Sequence, residues 1–300
     1  MLSLDDFKPI KIEDKPLFDK HYKKYPQIHS DYVFTTLISW KEYANYHFTF
    51  LNDNLIIYSI INNKIRFRPP IGIFNKEVFD QVLNLAKKQD SDYPFGVIDL
   101  KTKEWMSKLY PKIEFKEHRE YFDYVYLSED LALLKGSSYA KIRNRLNKFK
   151  KNYAYSVENI TDDNFKETQV FLKRWCLWKD CDSDPILENE KKAILYSISK
   201  FYDLNLKGIV IRIKDVIESI SVFEGMNKDT ALVHYEKGSP YFEGIYKAIN
   251  QETAKLLQSK YKFINRESDM GIPGLRKAKT SYRPHHMIKV YHVDRHSLLN

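Results

Sequence analysis

Two patterns of apolar spacing alternate along this chain. From 136 to 153, GSSYAKIRNRLNKFKKNY, the apolar residues Tyr139, Ile142, Leu146 and Phe149 recur at intervals of 3, 4 and 3. That is one face of an amphipathic helix, with Ser137 or Ser138 placed to cap it. Val78, Val82 and Leu85 do the same in 75–88, where Asn75 suits the cap and Lys87 and Lys88 suit the C-terminal end. Elsewhere the pattern is β-like. HFTFLND, NLIIYSIINN and KIRFRPPIG follow one another with a turn signal at Asn52, Asp53 and Asn54. KGIVIRI, VIESISVFEGM and TALVHYEKG follow later, joined through KDV and NKD.

The remaining segments fill in around these. Helices are expected at 13–25, 31–46, 101–110, 162–178, 188–206 and 241–260. Strands are expected at FGVIDL, HREYFDYVYLS, YAYSVENIT, FINRES and HHMIKVYHVD. Each half then runs through helices, an antiparallel set of strands, a helix and further strands. The expectation is an α+β chain of two tandem lobes, 1–152 and 153–300, each a mixed, mostly antiparallel sheet flanked by helices.

Charge changes the picture. The net charge of +9 favours anionic partners. It is concentrated over 135–151, where Lys135, Lys141, Arg143, Arg145, Lys148, Lys150 and Lys151 occur without an acid. Such a face suits a nucleic-acid backbone or an anionic lipid surface, or is simply solvated. The two cysteines, Cys176 and Cys181, lack the second pair that a zinc site needs, and two thiols in 300 residues suit a reducing, cytoplasmic setting. The N-terminus has no signal-peptide pattern and no apolar run is long enough to span a bilayer, which leaves only peripheral contact with the inner membrane surface. His285, His286, His292 and His296 have no carboxylate spacing to match, and no metal is expected.

One stretch departs from both patterns. INRESDMGIPGLRKAK, 264–279, sets Glu267 and Asp269 among Arg266, Arg276, Lys277 and Lys279, with Gly271, Pro273 and Gly274 between them. Strand alternation would place Asn265 and Glu267 on one face and Arg266 on the other. Arg276 and Lys279, three apart on a helix, would point the same way toward a phosphate or carboxylate. Two readings compete: a ligand site, or a salt-bridge knot that staples the last strand. In HYEKG, Glu236 is a candidate general base, sharing a strand face with His234. Tyr282 is a candidate proton donor. Arg66 and Arg68 in RFRPPIG share a face and are placed to reach a phosphate.

A strand meander running into the helix of YFEGIYKAINQETAKLL resembles the N-acyltransferase superfamily that includes the acetyl-CoA-dependent enzymes. That resemblance aims the helix start, at Gly244, toward a phosphate. The superfamily's pyrophosphate loop, Q/R-x-x-G-x-G/A, is matched only at Gly244; Tyr246 puts a ring where the backbone should approach the pyrophosphate.

Four stretches carry a closer resemblance: SDYVFTTLISW with RFRPPIG; DYVYLSEDLALLKGSSYAKIRNRLNKFKK; ALVHYEKG with YKAINQETAK; and INRESDMGIPGLRKAK with SYRP. Together they are similar to the C-terminal catalytic domain of phosphatidylglycerol lysyltransferases, in its stand-alone form. The resemblance implies two GNAT-like lobes and an aminoacyl-tRNA donor, with no permanently bound cofactor. It also implies an acceptor such as a phospholipid head group, a peptide or a small amine. Family members carry a membrane flippase segment, which these 300 residues lack. On this reading Glu236, Glu267 and Arg276 are catalytic. Asn265, Arg266, Asp269, Gly271, Gly274, Lys279 and Tyr282 bind substrate. Lys141, Arg143, Arg145, Lys148 and Gly244 contact tRNA phosphates. The alternatives are an acyl-CoA-dependent N-acyltransferase and a non-catalytic module that binds RNA or membrane.

Overall fold

The computed structural model describes residues 1–181 and 185–299. The chain forms two compact units, Met1–Phe122 with Ile288–Asn300, and Asp123–Met287.

The first unit holds a seven-stranded sheet in the order Lys8–Pro9, His47–Leu51, Asn54–Ile61, Lys64–Phe67, Phe95–Asp99, Val290–Val293 and Lys116–Glu117. Its ladders are antiparallel except that joining Lys64–Phe67 to Phe95–Asp99. The turn expected at 52–54 is a two-residue hairpin with Asn52 and Asp53 at φ 47° and 58°. Such left-handed pairs match the twist of the flanking strands, and Asn and Asp tolerate them. Asn62 and Asn63 repeat the device. Helix Lys76–Lys87 starts as expected, the Asn75 carboxamide oxygen accepting from the Glu77 and Val78 amides at 2.9 and 3.2 Å. Its Val78, Phe79, Val82 and Ala86 enter the core beneath Phe67 and Phe95.

The helix expected over 31–46 is instead three short pieces, Ser30–Tyr32, Phe34–Ser39 and Lys41–Ala44. Val33 is extended between the first two, and Asn45 ends the last in the left-handed region at φ 36°. All six residues of the middle piece are buried. Burial on every side, not one apolar face, holds it.

The second unit also builds on seven strands, in the order His286–Ile288, Asp123–Leu127, Phe263–Asn265, Thr230–Gly238, Val216–Gly225, Lys207–Ile213 and Ser156–Asn159. The three-strand meander appears where the spacing predicts it, and Phe263–Asn265 runs parallel to Thr230–Gly238. Helix Ile245–Leu257 buries Ile245, Ala248 and Ile249 in one core with Ile142, Leu146 and Phe149 of helix Ala140–Asn152. Each sheet is mixed and mostly antiparallel and is flanked by helices, the α+β arrangement expected of each lobe.

The division expected at 152/153 falls instead at 122/123. Asp123–Leu127 pairs with Phe263–Asn265, and the basic helix puts its apolar face into the second unit's core. The expected strand 118–128 is accordingly a short helical turn, Arg119–Tyr121, followed by Asp123–Leu127. The expected last strand also divides: His286–Ile288 lies in one sheet and Val290–Val293 in the other. Apolar alternation along HMIKVYHV is local and does not say which sheet receives each part.

Candidate active site

The site grows from a bulge in strand Thr230–Gly238. Val222 faces Tyr235 across the ladder, but Phe223 faces Val233, so His234 is the extra residue. Its Nε2 meets Glu224 Oε1 at 2.8 Å and its Nδ1 meets Glu267 Oε1 at 3.0 Å. Burial opposes charging the ring, but the hydrogen bonds to Glu224 and Glu267 outweigh it and raise the pKa to about 9. His234 is therefore an imidazolium at neutral pH. Burial pushes the Glu267 carboxyl upward against the pull of His234. The strand that begins at Phe263 ends at Asn265, and Glu267 takes φ 57°. The alternation expected across 265–267 is thus broken, and this turn is what swings Glu267 onto His234.

Two residues along the same strand stands Glu236, with 8% of its side chain exposed. It accepts from Asn250 Nδ2 at 3.1 Å and from Arg266 Nη2 at 2.5 Å. Arg266 lies over Tyr126 and Tyr282, with its guanidinium carbon 5.7 and 5.0 Å from the ring centroids. Stacked and paired in this way, Arg266 is held well above the usual arginine range against the cost of burial, chiefly by Glu236. Lys247 Nζ stands 4.6 Å from the Tyr282 centroid. Burial, then Arg266 and Arg145, pulls its pKa down to about 8. Burial also raises the Tyr282 phenol well above its ordinary value, so it remains protonated. Two buried polar atoms here lack partners among the described residues, Arg266 Nη1 and Asn250 Oδ1.

The rest of 264–279 fastens the loop. Asp269 is fully buried. It accepts from Arg276 Nε and Nη2 at 2.9 Å each, from the Tyr124 hydroxyl at 2.6 Å and from the Gly271 amide at 3.0 Å. Lys279 Nζ donates to the carbonyls of Arg266, Glu267 and Ser268 at 2.5, 3.1 and 2.6 Å. Burial lowers its pKa to about 8. Asn265 bridges Asp123 Oδ2 at 2.7 Å and the Glu267 amide at 2.8 Å. Arg276 and Lys279 therefore do not point together at an outside anion; both turn back onto their own loop. The stretch divides in two. Glu267 and Arg266 reach the strand cluster, while Asp269, Arg276 and Lys279 form the knot. Gly271, at φ 74°, makes the turn that brings its amide to Asp269. Gly274 has open space where a side chain would be.

The basic helix is less bare than its sequence implies. Arg143 Nη1 donates to the carbonyls of Leu134 and Gly136. Lys148 pairs with Glu243 at 2.6 Å, and Lys150 reaches Gln251 at 2.9 Å. Lys141 and Arg145 stay exposed. A Cβ on Gly244 would lie 2.9 Å from Phe149 Cβ and 3.0 Å from the Arg145 carbonyl oxygen, so this glycine lets the basic helix pack closely. The helix start it caps presents fewer free amides than expected. Those of Ile245, Lys247 and Ala248 already donate to the carbonyls of Phe242 and Gly244. Arg68 of the first unit is buried, donating to the Asp31 carbonyl and the Tyr46 hydroxyl. No group of His, Cys, Asp and Glu suited to a metal occurs among the described residues.

Sequence reasoning passed over Lys247 and Asn250. Their spacing of three on one helix was the available signal, since it sets both toward Glu236 and Arg266. It also passed over Tyr126 and Glu224, which read as ordinary strand residues.

Comparison with known proteins follows this geometry. A conserved protein from Bacteroides thetaiotaomicron VPI-5482 superposes with a TM-score of 0.88 at 30% identity, over 96% of this chain and 98% of that one. L-PGS from Bacillus licheniformis superposes with a TM-score of 0.62 at 12% identity, over 94% and 92%. An uncharacterized protein of Mycoplasmoides gallisepticum is 25% identical over 179 residues, 59% of this chain, and the match spans only 57% of that protein's length. No helix among the described residues is long and apolar enough to cross a membrane. The family model for the C-terminal region of phosphatidylglycerol lysyltransferase matches residues 22–294, and the chain belongs to that family.

Proposed function

We propose that this protein transfers an aminoacyl group from an aminoacyl-tRNA to an amine or hydroxyl acceptor, such as a phospholipid head group, a peptide or a small amine. The observation that carries the proposal is the Glu236 carboxylate, held by Arg266 and Asn250 with the Tyr282 phenol beside the same guanidinium. Family membership supports the same chemistry.

The acceptor's nucleophilic atom attacks the ester carbonyl of the donor, and the acyl–oxygen bond to the ribose breaks. Glu236 takes the proton from the nucleophile. The Tyr282 phenol is the nearby acid that can protonate the departing ribose oxygen, and Glu236 then restores its proton. Arg266 and Lys247 give the site a positive field beside the reacting ester. No covalent enzyme intermediate is needed. Glu267, paired with His234, sets the turn that carries Arg266, and Arg276 holds that turn through Asp269.

Dependence on acyl-CoA is the weaker reading. Gly244 is packed against the basic helix, and most first-turn amides are occupied.

The test is a product search by mass spectrometry at low salt. It combines a total charged-tRNA pool, phosphatidylglycerol vesicles and a panel of amines, with acetyl-CoA in a parallel reaction. The expected result is an aminoacylated product that requires tRNA and is lost in Glu236→Gln. An acetylated product would move the protein to the CoA-dependent class. Salt-sensitive RNA or vesicle binding without any product would make it a binding module.

A further inference from the structure

Lys247 is a cation to which the fold assigns no anion. Among the described residues its ammonium has no hydrogen-bond acceptor and no acid paired with it; it rests on the face of Tyr282. The charges that act on it are Arg266, Arg145 and Glu236. Glu236 is already engaged by Arg266 and Asn250. Arg266 keeps one buried nitrogen, Nη1, without an acceptor. Lys247 and Arg266 thus share the ring of Tyr282 and one acid, Glu236, and Arg266 holds a donor unused inside the fold. Burying such a donor without a partner is unfavourable, and an incoming anion that accepts from Arg266 and Lys247 together would remove the cost.

We propose that Lys247 and Arg266 form a phosphate-binding subsite, and that it takes a phosphate of a nucleotide chain. A guanidinium fork and a point-charge ammonium together suit a tetrahedral oxyanion. The neighbouring basic helix selects the source: Ala140–Asn152 packs at Gly244 against the start of the helix that carries Lys247, and its Lys141, Asn144, Arg145 and Lys151 remain exposed. A strand of repeating phosphates can place one group beside Lys247 while its neighbours lie along that helix, whereas a single head-group phosphate uses only the subsite. The origin of the nucleotide rests on the transfer reading; the subsite rests on the cation cluster alone.

The test reads Lys247 directly. Reductive methylation with ¹³C-formaldehyde labels the lysines, and Lys247→Met identifies the Lys247 signal in an NMR pH titration of the intact chain. AMP, glycerol 3-phosphate and inorganic phosphate are added in separate arms. The expected result is that AMP raises the Lys247 midpoint by about one pH unit or more, a tenfold coupling. Calorimetry should show AMP binding retained in Lys247→Arg and weakened about tenfold in Lys247→Met. A Lys247 midpoint unmoved by all three anions would overturn the subsite. An equal or larger shift with glycerol 3-phosphate or inorganic phosphate would overturn the nucleotide assignment. AMP binding of equal strength in wild type and in folded Lys247→Met would also overturn the subsite. A positive shift without any aminoacyl product would sink the transfer reading and leave the subsite standing.

Discussion

The charged state of His234 makes a quantitative prediction. Its ring is enclosed between Glu224 at 2.8 Å and Glu267 at 3.0 Å, and its pKa rises from 6.5 to about 9. Because the folded-state value is the higher one, the stabilisation is fully present below the unfolded value of 6.5. Above it, the unfolded chain releases its proton while the folded chain keeps it. The contribution then falls by about 1.4 kcal/mol per pH unit until the folded ring titrates near 9, a total of about 3 kcal/mol. The perturbation is His234→Gln, which retains polarity and removes the charge. Urea unfolding of both proteins at several pH values between 6 and 9.5 gives the stability difference. Wild type should be the more stable at pH 6, and its advantage should shrink by roughly 2–3 kcal/mol by pH 9.5. Imidazole NMR of the wild type should show one ring titrating near 9, absent from the variant. A His234 ring that titrates below 7, or an advantage that does not change with pH, would refute the ion-pair argument.

Other perturbations separate the knot from the chemistry. Lys279→Met should leave three carbonyls without their donor and cost about 3 kcal/mol or more, read in denaturant unfolding. Gly244→Ala should lower stability by about 1–3 kcal/mol, because the methyl meets Phe149 and the Arg145 carbonyl at φ 95°; thermal melts decide this. Gly274→Ala, with open space around it in helix Pro273–Ser281, should instead be neutral or stabilising by up to about 1 kcal/mol in the same melts. Arg276→Ala should lower stability through loss of the Asp269 pair, and Arg276→Lys should recover less than half, since an ammonium cannot reproduce the two-point contact; unfolding midpoints report both.

The sequence alone determined the periodic elements of this protein. The apolar spacing of Ile142, Leu146 and Phe149 required a helix with one buried face, and Asn52 with Asp53 required a tight hairpin. Those signals are local, because 3.6- and two-residue repeats are properties of a single element. The quoted stretches also pointed to the family that the comparison confirms. Tertiary structure decided where each element belongs. Asp123–Leu127 joins the second sheet and Val290–Val293 the first, because a strand's partner depends on the packed surface it meets and not on its own alternation. It also decided the meaning of the charges in 264–279. Read along the chain, Arg266, Glu267, Asp269, Arg276 and Lys279 look equally available. In the fold, Asp269, Arg276 and Lys279 satisfy one another and the loop's own carbonyls, while Arg266 is carried to Glu236. Lys247, unremarkable in sequence, has no acid paired with it among the described residues, because charge pairing follows distance and burial in space, which residue order does not encode.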